Sequence, residues 1–144
     1  MAELDSPAEA GLVAQWRELL ARQAAAACAL DRELGDRCGL GMSEFEVLER
    51  LVEECGGGRP AVRVSELAHT VHLSQSALSR LIARLEKAGL VTRAMCERDR
   101  RGVLLTLTEA GRGRYEQARP LHRQVLEETL GDGRGPSCLP SSTD

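Results

Sequence analysis

The chain has 144 residues and 15.6 kDa, enough for one domain around one core. Hydrophobic residues make up 42% and aromatics only 2%, which excludes a disordered chain and argues against single-strand binding by base stacking. The formal charge of -3 hides an asymmetry: residues 59–123 hold 13 basic and 6 acidic groups, net +7, while residues 1–58 carry -7 and residues 124–144 carry -3.

Ser6, Pro7 and Glu9 read as a helix start, with Ser6 as cap, Pro7 at the first helical position and Glu9 completing a capping box. Leu12, Trp16, Leu19, Leu20, Ala27, Leu30 and Leu34 then recur at helical spacing. They predict a helix of about 28 residues that stops near Gly35 to Gly39. So long a helix at the end of a small domain offers its apolar stripe to a second subunit. Ser43 and Glu46 form a second capping box, Phe45, Leu48, Leu51 and Val52 give a buried stripe, and Gly56-Gly57-Gly58-Arg59-Pro60 ends that helix.

The stretch from Val64 to Val71 reads as a short helix capped by Ser65, followed by a tight turn at His72-Leu73. Ser74 caps the next helix, which runs through Lys87 and ends at Gly89. Two short helices about a tight turn make a helix-turn-helix. Val91–Met95 and Val103–Leu107 flank a polar loop from Cys96 to Gly102 and predict a hairpin, which in this position is a wing. Thr108 caps a last helix with Tyr115, Ala118, Leu121, His122, Val125, Leu126 and Leu130 on its apolar side and a kink expected at Pro120. The Gly-, Pro- and Ser-rich residues 131–144 read as a disordered tail.

The expected fold is mainly α with a small antiparallel β-hairpin wing, an α+β winged helix-turn-helix. Its expected parts are a dimerisation helix in residues 1–40, a DNA-binding domain in 41–111, a second dimerisation helix in 112–130 and the tail.

On a wheel of about 100° per residue, Leu78, Leu81, Ile82 and Leu85 share one face of the helix after Ser74. Ser76, Arg80, Ala83 and Lys87 occupy the opposite face, flanked by Ser79 and Arg84. Small residues let a backbone approach a groove, and hydroxyls bond phosphates or base edges. Arg80 can reach guanine O6 and N7 in bidentate fashion, while Arg84 and Lys87 suit phosphates. A plain solvated face is the alternative, but Ser-rich outer faces without Glu are unusual on plain helices. In the wing, Arg98, Arg100 and Arg101 suit the negative potential of a narrow minor groove. Asp99 would be repelled by phosphate unless it pairs with Arg101 and fixes that guanidinium for insertion. The expected duplex-contacting set is Ser74, Gln75, Ser76, Ser79, Arg80, Arg84, Lys87, Arg98, Asp99, Arg100 and Arg101.

These residues together resemble the MarR family of winged-helix transcription regulators. The likeness runs through Met42-Ser43-Glu44-Phe45-Glu46-Val47-Leu48, the segment Leu73 to Leu81, the segment Leu85 to Val91, Asp99-Arg100-Arg101-Gly102 and Leu107-Thr108-Glu109-Ala110-Gly111. The resemblance implies a homodimer with intertwined terminal helices, one recognition helix per subunit in consecutive major grooves, and a palindromic operator that is often repressed. It also implies, in many relatives, release by a small-molecule effector held between the dimer helices and the DNA-binding lobe. Here Trp16, Phe45 and Tyr115 are the aromatics that could stack on such a ligand, and core packing is the commoner role for each. Gly131-Asp132-Gly133-Arg134-Gly135-Pro136 replaces the further C-terminal helix usual in the family. Dimerisation is therefore expected to rest on Leu12, Trp16, Leu19, Leu20, Tyr115, Leu121, Val125 and Leu126.

The five cysteines, Cys28, Cys38, Cys55, Cys96 and Cys138, form no C-x-x-C pair and read as reduced thiols. Cys96, beside Arg98, is the best candidate for an alternative reading as a thiol-based redox-sensing repressor. His69 and His72 have no acidic or Cys partner nearby in sequence, so neither a metal nor another cofactor is expected. A nucleophile–base pair, a P-loop and a G-x-G-x-x-G are all lacking, which argues against an enzyme. A winged helix used only for protein–protein contact is the remaining alternative. No apolar run approaches the roughly 20 residues of a membrane span, and the acidic start Met1 to Asp5 is unlike a signal peptide, so a cytoplasmic location without membrane contact is expected.

Overall fold

Ser6 sits in extended backbone at the head of α1 (Pro7–Cys38), and its hydroxyl accepts the Glu9 N–H at 3.2 Å, as the local pattern predicts. The computed structural model describes residues 6–96 and 99–131, with the side chains of residues 96–101 excepted. At 32 residues α1 is a few residues longer than expected, and it stops within the expected span, at Gly39, where φ is +66°. Only its second half enters the core, through Ala26, Leu30 and Leu34. Leu12, Trp16, Leu19 and Leu20 remain exposed.

The next helix, α2 (Met42–Gly56), departs from expectation at its start. Gly41 takes the cap position without a side-chain bond, and Asp31 of α1 accepts the Met42 N–H at 2.9 Å. The Ser43–Glu46 capping box does not form, because Ser43 already lies inside the first turn and Glu46 pairs with Arg50 at 3.3 Å.

A two-residue strand, β1 (Val62–Arg63), follows and is too short to show an alternating pattern in sequence. It leads directly into α3 (Val64–Thr70), whose cap position is Arg63 rather than the expected Ser65. Ser74 caps α4 (Gln75–Lys87) as expected, accepting the Ala77 N–H at 3.2 Å. Gly89, with φ of +78°, turns the chain out of that helix.

Strands β2 (Val91–Cys96) and β3 (Asp99–Leu107) pair antiparallel from Val91↔Leu107 to Met95↔Val103, then shift register to Cys96↔Asp99. The expected hairpin is present, but its strands reach beyond Met95 and Val103 to Cys96 and Asp99, into the loop expected over residues 96–102; Glu97 and Arg98 lie outside the described residues. Val62 and Arg63 pair with Leu105 and Leu104, giving a three-stranded sheet in the order β1-β3-β2 rather than a lone hairpin.

Thr108 joins two elements through one hydroxyl. It accepts the Gly111 N–H at 3.0 Å, capping α5 (Glu109–Leu130), and donates to the Gly89 carbonyl at 2.7 Å. Gly111 is required there, since a Cβ would collide with the Leu90 carbonyl oxygen and the Leu107 side chain. The helix continues unbroken through Pro120. Gly111, Tyr115, Ala118, His122 and Val125 form its buried stripe. Phe45, Leu48, Leu51, Leu67, Leu78, Ile82, Leu85 and Leu105 fill the core where α2, α3 and α4 meet the sheet. The chain is thus mainly helical with a small antiparallel sheet. The tail expected to be disordered lies, beyond Gly131, outside the described residues.

Candidate nucleic-acid interface

The two faces of α4 separate as the wheel predicts. Leu78, Leu81, Ile82 and Leu85 are buried, while Ser74, Gln75, Ser76, Ser79, Arg80, Arg84 and Lys87 are exposed. Among the described residues neither Arg80 nor Lys87 has an ion-pair partner, and Arg84 makes only a long contact, 3.9 Å, to Glu44 of α2. The outer face therefore presents cations whose charge is not taken up internally. At its N-terminal end the first backbone N–H groups of α4 add donors suited to phosphate.

The wing lies beside this face. Ser79 and Gln75 of α4, Ser65 of α3 and Gly102 of β3 line one cleft of about 230 Å³. Arg93 of β2 reaches α4, where its Nε and Nη2 donate to the two carboxylate oxygens of Glu86 at 3.2 and 3.1 Å. This fork ties the start of the wing to the last turn of α4. Of the expected wing residues, Arg98 lies outside the described residues, as do the side chains of Cys96, Asp99, Arg100 and Arg101.

The residues expected at a subunit contact divide. Leu12, Trp16, Leu19 and Leu20 are exposed, and Leu121 and Leu126 are half-buried. Tyr115 and Val125 instead pack into the core of their own chain, Tyr115 against Phe45 of α2. Periodicity identifies an apolar face but not which partner covers it.

Sequence reasoning missed a polar seam between α2 and α5. Glu49, 9% exposed, accepts hydrogen bonds from Tyr115 Oη at 3.0 Å, Arg123 Nη2 at 2.6 Å and Arg123 Nη1 at 3.4 Å. Arg123 Nη1 also stands 2.6 Å from His122 Nδ1. The His122 ring stacks on Phe45 at a centroid distance of 4.2 Å, and Phe45 stacks on Tyr115 at 5.3 Å. Burial pushes the Glu49 carboxyl up, but the bonds from Arg123 and Tyr115 outweigh it and hold it below the ordinary carboxylate range. Burial, helped by the Arg123 charge, pushes His122 below its ordinary value, against the pull of Glu49. The available signal was a carboxylate one turn from Phe45 on an otherwise apolar stripe, with a histidine on the facing stripe.

This seam borders a cavity of about 700 Å³ between α1, α2, α5 and the α3–α4 turn. Its wall includes Gln23, Leu30, Met42, Glu49, His72 and His122. The aromatics considered for a stacking site do not line it: Trp16 is exposed, and Phe45 and Tyr115 are core residues. Among the described residues no group of three or more His, Cys, Asp or Glu is placed to hold a metal ion. Cys28 is exposed, and Cys38 and Cys55 are half-buried free thiols. No described helix is long and apolar enough to cross a membrane.

Known proteins share this geometry. The MarR family model matches residues 40–103, from the start of α2 into β3. The crystal structure of AbsC, a MarR family transcriptional regulator from Streptomyces coelicolor, is 32% identical with a TM-score of 0.75, over 94% of this chain and 86% of that one. A second MarR family transcriptional regulator from Streptomyces coelicolor, solved in complex with DNA, is 30% identical with a TM-score of 0.77, over 94% of this chain and 81% of that one. The transcriptional activatory protein BadR of Rhodopseudomonas palustris is 37% identical over 99 residues, which is 65% of this chain and 53% of BadR. The chain spans about half the length of the curated relatives it matches. With a helix-turn-helix, a wing and long flanking helices that align with such structures over nearly its whole length, the chain belongs to the MarR family of winged-helix transcriptional regulators.

Proposed function

We propose that this chain is a sequence-specific regulator of transcription, not an enzyme, that binds duplex DNA as a homodimer in the cytoplasm. The observation that carries this reading is the outer face of α4, where Arg80, Arg84 and Lys87 stand exposed among small hydroxyl residues above a fully apolar inner face. In this reading Ser74, Gln75, Ser76, Ser79 and Arg80 meet base edges and phosphates in the major groove, and Arg84 and Lys87 neutralise phosphates. Arg98, Arg100 and Arg101 enter the flanking minor groove, with Asp99 orienting Arg101. The likeness to a family member solved in complex with DNA supports it.

The dimer is favoured by the exposed stripe Leu12, Trp16, Leu19 and Leu20, which with Leu130 leaves an apolar surface that a second copy would cover. Leu121 and Leu126 border it. Two-fold symmetry then calls for a palindromic operator with half-sites about one helical turn, ~34 Å, apart. Occupancy of such a site represses, and a small effector in the 700 Å³ cavity would release it.

Selection of bound duplexes from a random-sequence pool, paired with sedimentation of the protein, tests the proposal. A dimer that enriches a palindrome is the expected result. A monomer that enriches nothing would overturn it.

A further inference from the structure

His122 is a buried titratable group that the DNA-facing surface does not use. It lies on α5 and is 7% exposed, with its ring flat against Phe45 of α2. Its Nδ1 stands 2.6 Å from Nη1 of Arg123. Arginine has no acceptor and keeps its protons, so this contact is a hydrogen bond only while Nδ1 is bare. The seam is therefore built around the neutral ring.

The other groups that face His122 are few. From α2, Glu49 is clasped by Arg123 and Tyr115 of α5, and Glu46 lines the same cavity. From the α3–α4 turn comes His72, and from α1 the uncharged Gln23 and Leu30. Arg119, also on α5, interacts with Tyr115. Burial and the charge of Arg123 both oppose a proton on His122, and Glu49 alone favours one.

We propose that protonation of His122 breaks the Arg123–Glu49 clasp between α5 and α2 and so weakens DNA binding, making the grip on DNA sensitive to pH. A protonated ring sets an N–H against the guanidinium N–H, with two positive charges in a half-buried site. Arg123 must withdraw, and Glu49 is left to the imidazolium. The helix α5 belongs to the flanking helical layer with α1, whereas α2 packs on α4. Loosening this seam changes how the recognition helix is held against the dimer, and with it the spacing of two such helices on an operator. The inference rests on the DNA-binding dimer proposed above.

Its direction separates it from bulk electrostatics. Acidification makes a protein surface more positive, which by itself strengthens binding to a polyanion. A loss of affinity on acidification has to come from elsewhere.

The test is fluorescence anisotropy of the full chain on its selected duplex, at constant salt, from about pH 8 to about pH 4.5, a range that extends well below ordinary histidine titration because His122 is held below it. His122→Gln keeps an acceptor for Arg123 but does not titrate. Circular dichroism at each pH confirms that the chain stays folded. Wild-type affinity is expected to fall by about fivefold or more, the lower end of ordinary coupling, while His122→Gln stays flat or binds more tightly. Parallel curves for the two proteins would overturn the proposal alone, whereas absence of binding at the alkaline end would overturn the DNA reading itself. The His122 Cε1 proton resonance of the wild type supplies a second readout that needs no variant. Linkage requires its pKa to be lower in the DNA complex than in the free protein, and equal values would overturn the proposal.

Discussion

On α4, Arg80 and Lys87 extend into solvent with no ion-pair partner among the described residues. On α5, Arg123 gives hydrogen bonds to both oxygens of Glu49. One residue class thus plays two parts in one small chain. Where the cation is already matched, it joins helices. Where it is left unmatched on a face whose other side is a full apolar stripe, its charge remains for an anion outside the protein. The net charge of +7 over residues 59–123 does not separate these uses, and the local partner does.

Removing the unmatched cations gives the largest expected effect. The triple substitution Arg80→Ala, Arg84→Ala, Lys87→Ala should lower duplex affinity by more than about 100-fold in a gel-shift titration, since base and phosphate contacts are lost together. The urea midpoint should not move, because these side chains hold little of the fold. An equal loss of stability would erase the contrast between the two regions.

The converse substitution, Arg123→Met, should cost about 2 kcal/mol of folding stability by leaving the Glu49 carboxylate buried without its main donor, as measured by urea unfolding at neutral pH. Unchanged stability would show that the seam is not a structural clasp.

Acid should act on the seam with a definite sign. Glu49 titrates lower in the folded chain than its ordinary value, so its contribution is present above that value and is lost as pH falls through the folded pKa. His122 is also lowered, so its contribution is likewise lost as pH falls below the ordinary histidine value. Both effects predict a urea midpoint that drops on acidification, and a smaller drop in a Glu49→Gln, His122→Gln double variant. The same drop in both proteins would place the acid sensitivity elsewhere.

The smallest effect belongs to the half-exposed fork between Glu86 and Arg93. Glu86→Ala should change stability by less than about 1 kcal/mol. Duplex affinity should rise slightly, as a carboxylate leaves the cationic end of α4. A marked loss of affinity would instead show that the fork positions the wing.

What could be read from sequence was what one helix or one turn decides by itself. The two faces of α4 follow from 3.6-residue spacing, and the caps at Ser6, Ser74 and Thr108 bond within three residues. What could not be read depends on partners far along the chain. The head of α2 is closed by Asp31, eleven residues away, which displaced the capping box expected at Ser43 and Glu46. Glu49 and Arg123 are 74 positions apart, and neither looks like half of a pair from its neighbours. The apolar stripe on α5 carried no mark to say that Tyr115 and Val125 face inward. β1 is two residues long, too short for any periodicity.

Hydrogen exchange of the full chain with and without its selected duplex reads out whether the outer face of α4 and the wing meet DNA together. Slowed exchange over residues 74–87 together with residues 91–107 is expected. Protection confined to other segments, or none in the presence of saturating DNA, would contradict it.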